Sequence, residues 1–435
     1  MLAILIAALL AGEAPITAPP LSSNPPVQTL QAQFDGANEA YQANRIDEAI
    51  ERFEALEANP KVQKNPLVLS TVLMRKGASL IELGRVAEAE IALRQGLKIA
   101  PPDRAELKAD RYMSEQSLGL IDIDRLEYAA ATRHFEKARA LADEPNARAS
   151  VLVRLALVTT FEPGDDAVHY ADRALAEIGI AAAKDEKVRK LIADLQTVRA
   201  RALLNQGRFP EALGVLQKAV KDQGDLDLKV DISEIVTRSD IAIAAMLSGR
   251  PDTARKYLAY TGAGRIEDAP FERAMSMDLP ACGGPSNLKP EDVAVVEFGI
   301  ATDGSVKAVR PIYASVKGSA ALDFARAVSG WSWRSADVAK IPPLFRAVTR
   351  VELRCSTGAE RPPAQQLLMT SLADWSIRSQ LQAPPRKAPA TRSPCLFCEA
   401  NWSAATLLAA ASLRSPSWLL WPPTSSPPMK SARFG

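Results

Sequence analysis

Few side chains in this sequence could do covalent or metal chemistry. It contains two histidines and four cysteines, and it has no Ser-His-Asp set, Walker loop or paired-histidine zinc motif. His134 lies on a predicted helix, and His169 lies in an acidic stretch without a cysteine. A single histidine of this kind is more typical of a solvated helix face than of a metal site. The sequence therefore predicts no catalytic residue, no metal and no cofactor.

The four cysteines fall into two pairs with different surroundings. Cys395 and Cys398 form a lone Cys-x-x-Cys without the strand and helix of a redox motif. Cys282 and Cys355 flank a short region of predicted strands, while the helical region has no cysteine. This placement favours a structural disulfide between Cys282 and Cys355, with two unrelated buried thiols as the alternative. A disulfide would indicate an oxidising compartment.

The chain begins with an apolar run over residues 1–11. The run is too short to span a bilayer as a helix and has the length of a signal-peptide core. We interpret residues 1–14 as a signal peptide and 15–30 as a Pro-rich linker, which predicts an exported, periplasmic protein. A membrane-surface anchor, a truncated start and a buried apolar terminus are the alternatives, so membrane contact stays open.

Composition is that of a soluble globular protein of 435 residues, with 47% hydrophobic and 24% charged residues. The net charge of +2 is uneven, because residues 361–435 carry eight Lys or Arg against two acids. The remainder has a net charge of 2 − 6 = −4, which argues against nucleic-acid binding. The segment 358–435 is rich in Pro and Trp and lacks periodicity, so we predict that it is disordered or translated from a shifted reading frame.

Residues 31–264 show apolar residues at helical spacing and a repeat of about 40 residues. An Ala is followed four positions later by a large apolar residue, as in Ala89 with Leu93 and Ala131 with Phe135. Such a period predicts stacked helical hairpins, each of which completes the core of its neighbours.

One repeat unit carries a fuller pattern of small and turn residues. These residues are Gly77, Leu80, Gly84, Ala89, Leu93, Gly96 and Pro101. The pattern resembles the tetratricopeptide repeat, and Gly119 and Gly207 continue it in later units. The resemblance implies a scaffold whose concave face binds a peptide or a helix.

After a linker at 265–290, the residue pattern of 291–357 predicts two strands, a helix and a third strand. The strands at 293–300 and 306–314 flank an Asp303-Gly304 hairpin turn. Alternation in the last strand predicts one buried and one solvated face. The fold class is thus mainly α, a helical-hairpin solenoid followed by a small α+β domain of ββαβ order.

This small domain carries, in order, Phe298, Asp303-Gly304, Leu322-Asp323 and Trp331-Ser-Trp333. The pattern resembles the C-terminal domain of TonB-family energy transducers. The resemblance implies that an extended segment of an outer-membrane receptor adds to the edge of the last strand. The candidate docking edge consists of Arg346, Val348, Arg350, Glu352 and Arg354. These charges could equally protect a bare edge from aggregation.

Together these features predict an exported protein that acts through protein or peptide partners, with a link to outer-membrane transport implied by the TonB resemblance. Two alternatives stay open. One is a purely structural periplasmic scaffold without energy transduction, and the other is an enzyme whose site residues are not recognisable in the sequence.

Overall fold

The structure is a computed structural model, and it describes residues 29–178, 186–224, 232–261, 274–341 and 343–357. The predicted signal peptide, nearly all of the Pro-rich linker, residues 265–273 of the second linker and the predicted tail lie outside these residues. Within the described ranges, no helix is both long and apolar enough to cross a membrane.

The first part of the described chain is entirely helical. Its helices are α1 (Leu30–Gln42), α2 (Ile46–Glu57), α3 (Pro60–Gln63), α4 (Pro66–Glu82), α5 (Val86–Ile99), α6 (Lys108–Asp124), α7 (Tyr128–Leu141), α8 (Pro145–Val158), α9 (Asp166–Ile178), α10 (Glu186–Asn205), α11 (Phe209–Gln223), α12 (Ile232–Leu247) and α13 (Pro251–Ala259). Apart from the short α3, they pair in order as hairpins 1 to 6, from α1–α2 to α12–α13. The predicted solenoid of helical hairpins is confirmed.

The turns inside the hairpins share one backbone geometry. Gly84, Gly207 and Gly249 have φ values of 80°, 79° and 71° between the two helices of hairpins 2, 5 and 6. Asn44 and Leu126 take the same left-handed conformation in hairpins 1 and 3. Glycine adopts this conformation at little cost, which explains the glycine at three of these turns.

Other glycines lie where two helices cross. A Cβ atom on Gly119 of α6 would stand 2.5–2.9 Å from three atoms of the Phe135 ring in α7. Gly77 of α4 stands against Leu93 of α5 in the same manner. The small residues of the repeat pattern therefore serve close helix approach.

We expect Gly119→Ala to destabilise the protein by about 1–3 kcal/mol, because the added methyl group overpacks the fully buried Phe135. The matched control is Gly214→Ala in α11, where a Cβ meets no atom within 4 Å. Since alanine favours helix more than glycine does, the control should gain up to about 1 kcal/mol. Urea denaturation of both variants checks the opposite signs. Equal effects would contradict the close-packing explanation.

The second part of the described chain contains the strands. They are β1 (Ala274–Ser276), β2 (Val293–Ile300), β3 (Val306–Ala314), β4 (Ser332–Trp333) and β5 (Thr349–Arg354), with helices α14 (Ser319–Ser329), α15 (Ser335–Val338) and α16 (Pro343–Ala347). The main sheet is antiparallel and has the order β3-β2-β5, while β1 pairs with β4. Helix α14 packs on one face of the main sheet.

The predicted β2–β3 hairpin is confirmed, and its turn requires glycine. Gly304 has a φ of 91°, and a Cβ there would lie 1.9 Å from the carbonyl oxygen of Trp333. The N–H of Trp333 donates a hydrogen bond to the carbonyl of Gly304 at 2.9 Å. The hairpin turn is thereby joined to β4.

The prediction of a solvated face on the sheet is wrong. All eight residues of β2 are buried, and Arg350, which the alternation in β5 assigned to solvent, is 3% exposed. The reason is that the helical array covers this face. Val293, Val295 and Ile312 share an apolar cluster with residues of α10, α11 and α12. The sheet and the array therefore share one core.

Candidate functional site

A buried ion cluster lies where the sheet meets the array. Arg350 of β5 places Nη1 2.6 Å from Oδ1 of Asp240 in α12 and Nη2 2.8 Å from Oε2 of Glu297 in β2. Arg201 of α10 donates from Nε to Oδ2 of Asp240 at 2.7 Å. Arg310 of β3 brings Nη1 to 3.9 Å from Oε1 of Glu297. Arg350 thus bridges the two parts of the molecule.

The electrostatics of this cluster follow from burial and pairing. Burial alone would raise the pKa of Glu297, but Arg350, Arg201 and Arg310 together hold that pKa below its usual value. Burial alone would lower the pKa of Arg350, and Asp240 and Glu297 raise it instead. The pairing with Arg350 keeps Glu297 ionised, and Asp240 lies against the guanidinium groups of Arg350 and Arg201. Such a cluster is suited to joining elements rather than to proton transfer.

One amide side chain closes an edge of the sheet. Asn205, the last residue of α10, donates from Nδ2 to the carbonyl of Ile312 at 2.9 Å and accepts from the N–H of Ala314 at 3.0 Å. These two backbone groups belong to the side of β3 that faces away from β2. Phe209 packs edge-on against Tyr313, with ring centroids 6.3 Å apart. The array therefore contacts β3 much as a neighbouring strand would.

The residues of the candidate docking edge have different surroundings. Arg346 lies in α16, Val348 is buried just before β5, and Arg350 belongs to the ion cluster. Glu352 has a side chain that is 9% exposed, against 38% for Arg354. Only part of the predicted charged edge therefore faces solvent.

The outer edge of β5 is defined by the pairing of β2. The backbone N–H of Val293 donates to the hydroxyl of Ser315, next to β3, at 3.0 Å. Its carbonyl accepts from the N–H of Ser315 at 2.9 Å. Arg354 lies opposite Val293 in the β2–β5 ladder. It therefore directs its own backbone groups away from β2. Further along this edge, Ser356 exchanges backbone hydrogen bonds with Pro280 and Cys282.

Cys282 and Cys355 form the predicted disulfide bond, which joins residues separated by 73 positions. The bond holds the Pro280–Cys282 segment beside the end of β5. The indole N–H of Trp331 donates to the carbonyl of Asp278 at 2.9 Å and fixes the start of the same segment. The small sheet is thus closed at one end by a covalent and a hydrogen-bonded contact.

The two histidines have different environments. His169 is exposed on α9. His134 of α7 is half-buried, with Nδ1 2.5 Å from Glu115 and Nε2 3.7 Å from Asp122, both of α6. Burial raises the pKa of Asp122. No group of three or more His, Cys, Asp or Glu side chains in the described ranges is placed to hold a metal ion.

The repeats are shown by comparison with a family. Residues 34–104 and 165–227 match the model of the tetratricopeptide repeat. These two stretches match tetratricopeptide repeats. Both matched stretches lie in the hairpin array, so the first of the two resemblances is confirmed. The resemblance of the sheet to TonB-family domains stays a prediction.

Solved structures similar to the tetratricopeptide array include YrrB, a tetratricopeptide-repeat protein with an unusual peptide-binding site. The identity to YrrB is 15% over 44% of this chain and 83% of that one, with a TM-score of 0.31. RapI without ligand is 14% identical over 53% of this chain, with a TM-score of 0.38. A Rap protein complexed with Competence and Sporulation Factor is 15% identical over 54%, with a TM-score of 0.35. The match covers 64% of each Rap chain. No curated protein matches this chain in sequence.

The sequence predicted neither the ion cluster nor the role of Asn205. Arg201, Asp240 and Glu297 lie in three separate elements and belong to no motif. The one signal available was a glutamate in the middle of an otherwise apolar strand, Val293–Ile300. A buried carboxylate requires a partner, but the sequence does not say which.

Proposed function

We propose that this protein is an exported, periplasmic scaffold that binds an extended segment of a partner protein at the outer edge of β5. One observation carries the proposal. Of the two outer strands of the main sheet, β3 is closed by Asn205, whereas β5 directs the backbone groups of Arg354 outward. Strand addition needs such an edge.

The TonB resemblance supports a particular kind of partner. In that family an extended segment of an outer-membrane receptor adds to the last strand, and β5 is the corresponding strand here. The array holds β5 through the ion pair between Arg350 and Asp240 of α12. A rigid edge is an advantage, because less conformational freedom is lost when a partner segment binds.

Export is proposed on two grounds. The apolar run at 1–11 has the length of a signal-peptide core. The bond between Cys282 and Cys355 belongs to the chemistry of oxidising compartments. On these grounds we propose that the protein is periplasmic. A catalytic role is not proposed, since tetratricopeptide arrays serve as binding scaffolds.

A second candidate site lies on hairpins 1–3, whose first helices are α1, α4 and α6. Arg75 of α4 binds Asp110 of α6 through Nε at 3.0 Å and Asn38 of α1 through Nη1 at 2.8 Å. Its guanidinium also stands 4.8 Å from the centre of the Phe34 ring. Met113, one turn from Asp110, is 45% exposed. Phe34 is buried and the side chains of Arg75 and Asp110 are only 12% and 11% exposed, so Met113 is the residue here that a peptide partner of the array would contact.

We expect Arg354→Pro to lower capture of the partner at least tenfold in a pull-down from an envelope extract. Proline removes an outward N–H and obstructs pairing, while it is tolerated on an outer strand. Tenfold corresponds to about 1.4 kcal/mol. This is the size expected for one or two backbone hydrogen bonds.

Two further variants make this experiment decisive. Arg354→Ala removes the same charge but keeps the backbone N–H, so it should capture the partner nearly as well as the wild type. Met113→Lys alters the surface of hairpins 1–3. Loss of the partner with Met113→Lys but not with Arg354→Pro would sink the strand-addition proposal and favour the second candidate.

A further inference from the structure

The sheet lies on the array surface formed by the first helices of the later hairpins. First helices contact one another in the pairs α4–α6, α8–α10 and α10–α12, so they share one face of the array. In stacked helical repeats such a face is the usual binding surface. Strand β3 contacts α10, and the ion cluster joins β5 to α12. The sheet thus covers this face at hairpins 5 and 6.

Strand β3 is held there as an extended peptide ligand would be. Asn205 contacts the backbone of β3 through two hydrogen bonds. Its side chain donates to the carbonyl of Ile312 and accepts from the N–H of Ala314. The side chains of Ile312 and Tyr313 are 1% and 7% exposed and belong to the apolar cluster of α10, α11 and α12. Backbone hydrogen bonds combined with side-chain pockets are the general mode by which extended peptides are recognised.

The ion pairs that attach the sheet to the array involve other residues than those that contact the backbone and side chains of β3. Arg350 joins β5 to Asp240 of α12 and to Glu297 of β2, and it touches neither Asn205 nor Tyr313 in any hydrogen bond or ring contact of the described residues. Changing Arg350 can therefore weaken the attachment without removing the groups that contact β3.

We infer that the face of hairpins 5 and 6 is a binding site for an extended peptide, occupied by the chain's own strand β3. The sheet is an intramolecular ligand that closes the site. A foreign segment with an aliphatic residue, an aromatic residue and a small residue in succession, like Ile312-Tyr313-Ala314, binds there only when the sheet moves away. This site is distinct from the edge of β5, so either inference can fail without the other.

The test uses the full chain and a fluorescent peptide with the sequence of residues 308–316. Because the tethered strand competes at a high effective concentration, the wild type should bind the peptide weakly. Arg350→Met should bind it at least tenfold more tightly in an anisotropy titration. Hydrogen exchange in the α10 and α12 segments should rise in the same variant. Asp240→Asn weakens the same ion cluster by a smaller change and should act in the same direction if Arg350→Met does not fold.

The double variant Arg350→Met with Asn205→Ala is the matched control. It keeps the weakened attachment but lacks the amide that contacts the backbone, so the gain in affinity should disappear. Unchanged peptide affinity in both Arg350→Met and Asp240→Asn would overturn the inference. Equal binding by the double variant would also overturn it, because the peptide would then bind elsewhere.

Discussion

Replacing Glu297 by glutamine is expected to lower the free energy of unfolding by about 3–5 kcal/mol at pH 7, because it leaves buried arginines without their carboxylate. Glu297 receives both hydrogen bonds from Arg350, at 2.9 and 2.8 Å, and lies within 4.0 Å of Arg201. Urea denaturation followed by circular dichroism measures the loss. Removing one partner of a buried ion pair lowers the free energy of unfolding strongly, because the other charge stays buried without a partner. Replacing both partners by apolar residues of similar size often costs nothing.

The pH dependence of this loss has a defined sign. The pKa of Glu297 is lowered in the folded protein by Arg350, Arg201 and Arg310, against the opposing effect of burial. Its contribution to stability is therefore present above the pKa of the unfolded chain, about 4.3, and declines as pH falls through the folded value. The difference between wild type and Glu297→Gln should be largest at neutral pH. It should shrink below about pH 4.

The matched control for this variant is Glu211→Gln. Glu211 pairs with Arg208 at 2.6 Å, but both side chains are more than 40% exposed. A surface pair of this kind contributes about 0–1 kcal/mol. If Glu297→Gln were no more destabilising than Glu211→Gln, the ion cluster would not be what joins the sheet to the array.

Replacing Cys282 by serine is expected to cost roughly 4 kcal/mol on the chain-entropy account, since the disulfide closes a long loop. The bond spans 73 residues. The same change also releases the Pro280–Cys282 segment from Ser356 at the end of β5. Denaturant titration of oxidised wild type and Cys282→Ser measures the difference.

Reduction provides the control for the cysteine variant. Dithiothreitol should bring the wild type to the stability of Cys282→Ser and should leave the variant unchanged. Any residual effect on the variant would report on disulfides formed by Cys355, Cys395 or Cys398. A wild type that is equally stable with and without reductant would contradict a structural role for the bond.

Local features of the fold were readable from the sequence because they depend on neighbouring residues. The Asp303-Gly304 turn determines a hairpin, and Gly304 has the left-handed φ that the turn requires. In the array, the spacing of Ala131 and Phe135 predicted a buried helix face, and both residues are fully buried in α7. These signals act within a few residues of the chain.

The solvated face predicted for β5 failed for a different reason. Alternation shows which residues share a face of a strand, but it does not show what covers that face. Arg350 has the side-chain type of a surface residue and is buried because Asp240 and Glu297 neutralise it. The charge itself suggested solvent, and only its partners explain the burial.

The sequence by itself determined the helical hairpins, the tetratricopeptide pattern and the β2–β3 hairpin, and it favoured the pairing of Cys282 with Cys355 that the structure shows. The tertiary structure decided how the two parts of the chain meet. Asn205 and Ile312 are 107 positions apart, and their hydrogen bond depends on the packing of the whole array. Periodicity carries no information about such distant contacts. The closing of the β3 edge by Asn205 could therefore be found only in three dimensions.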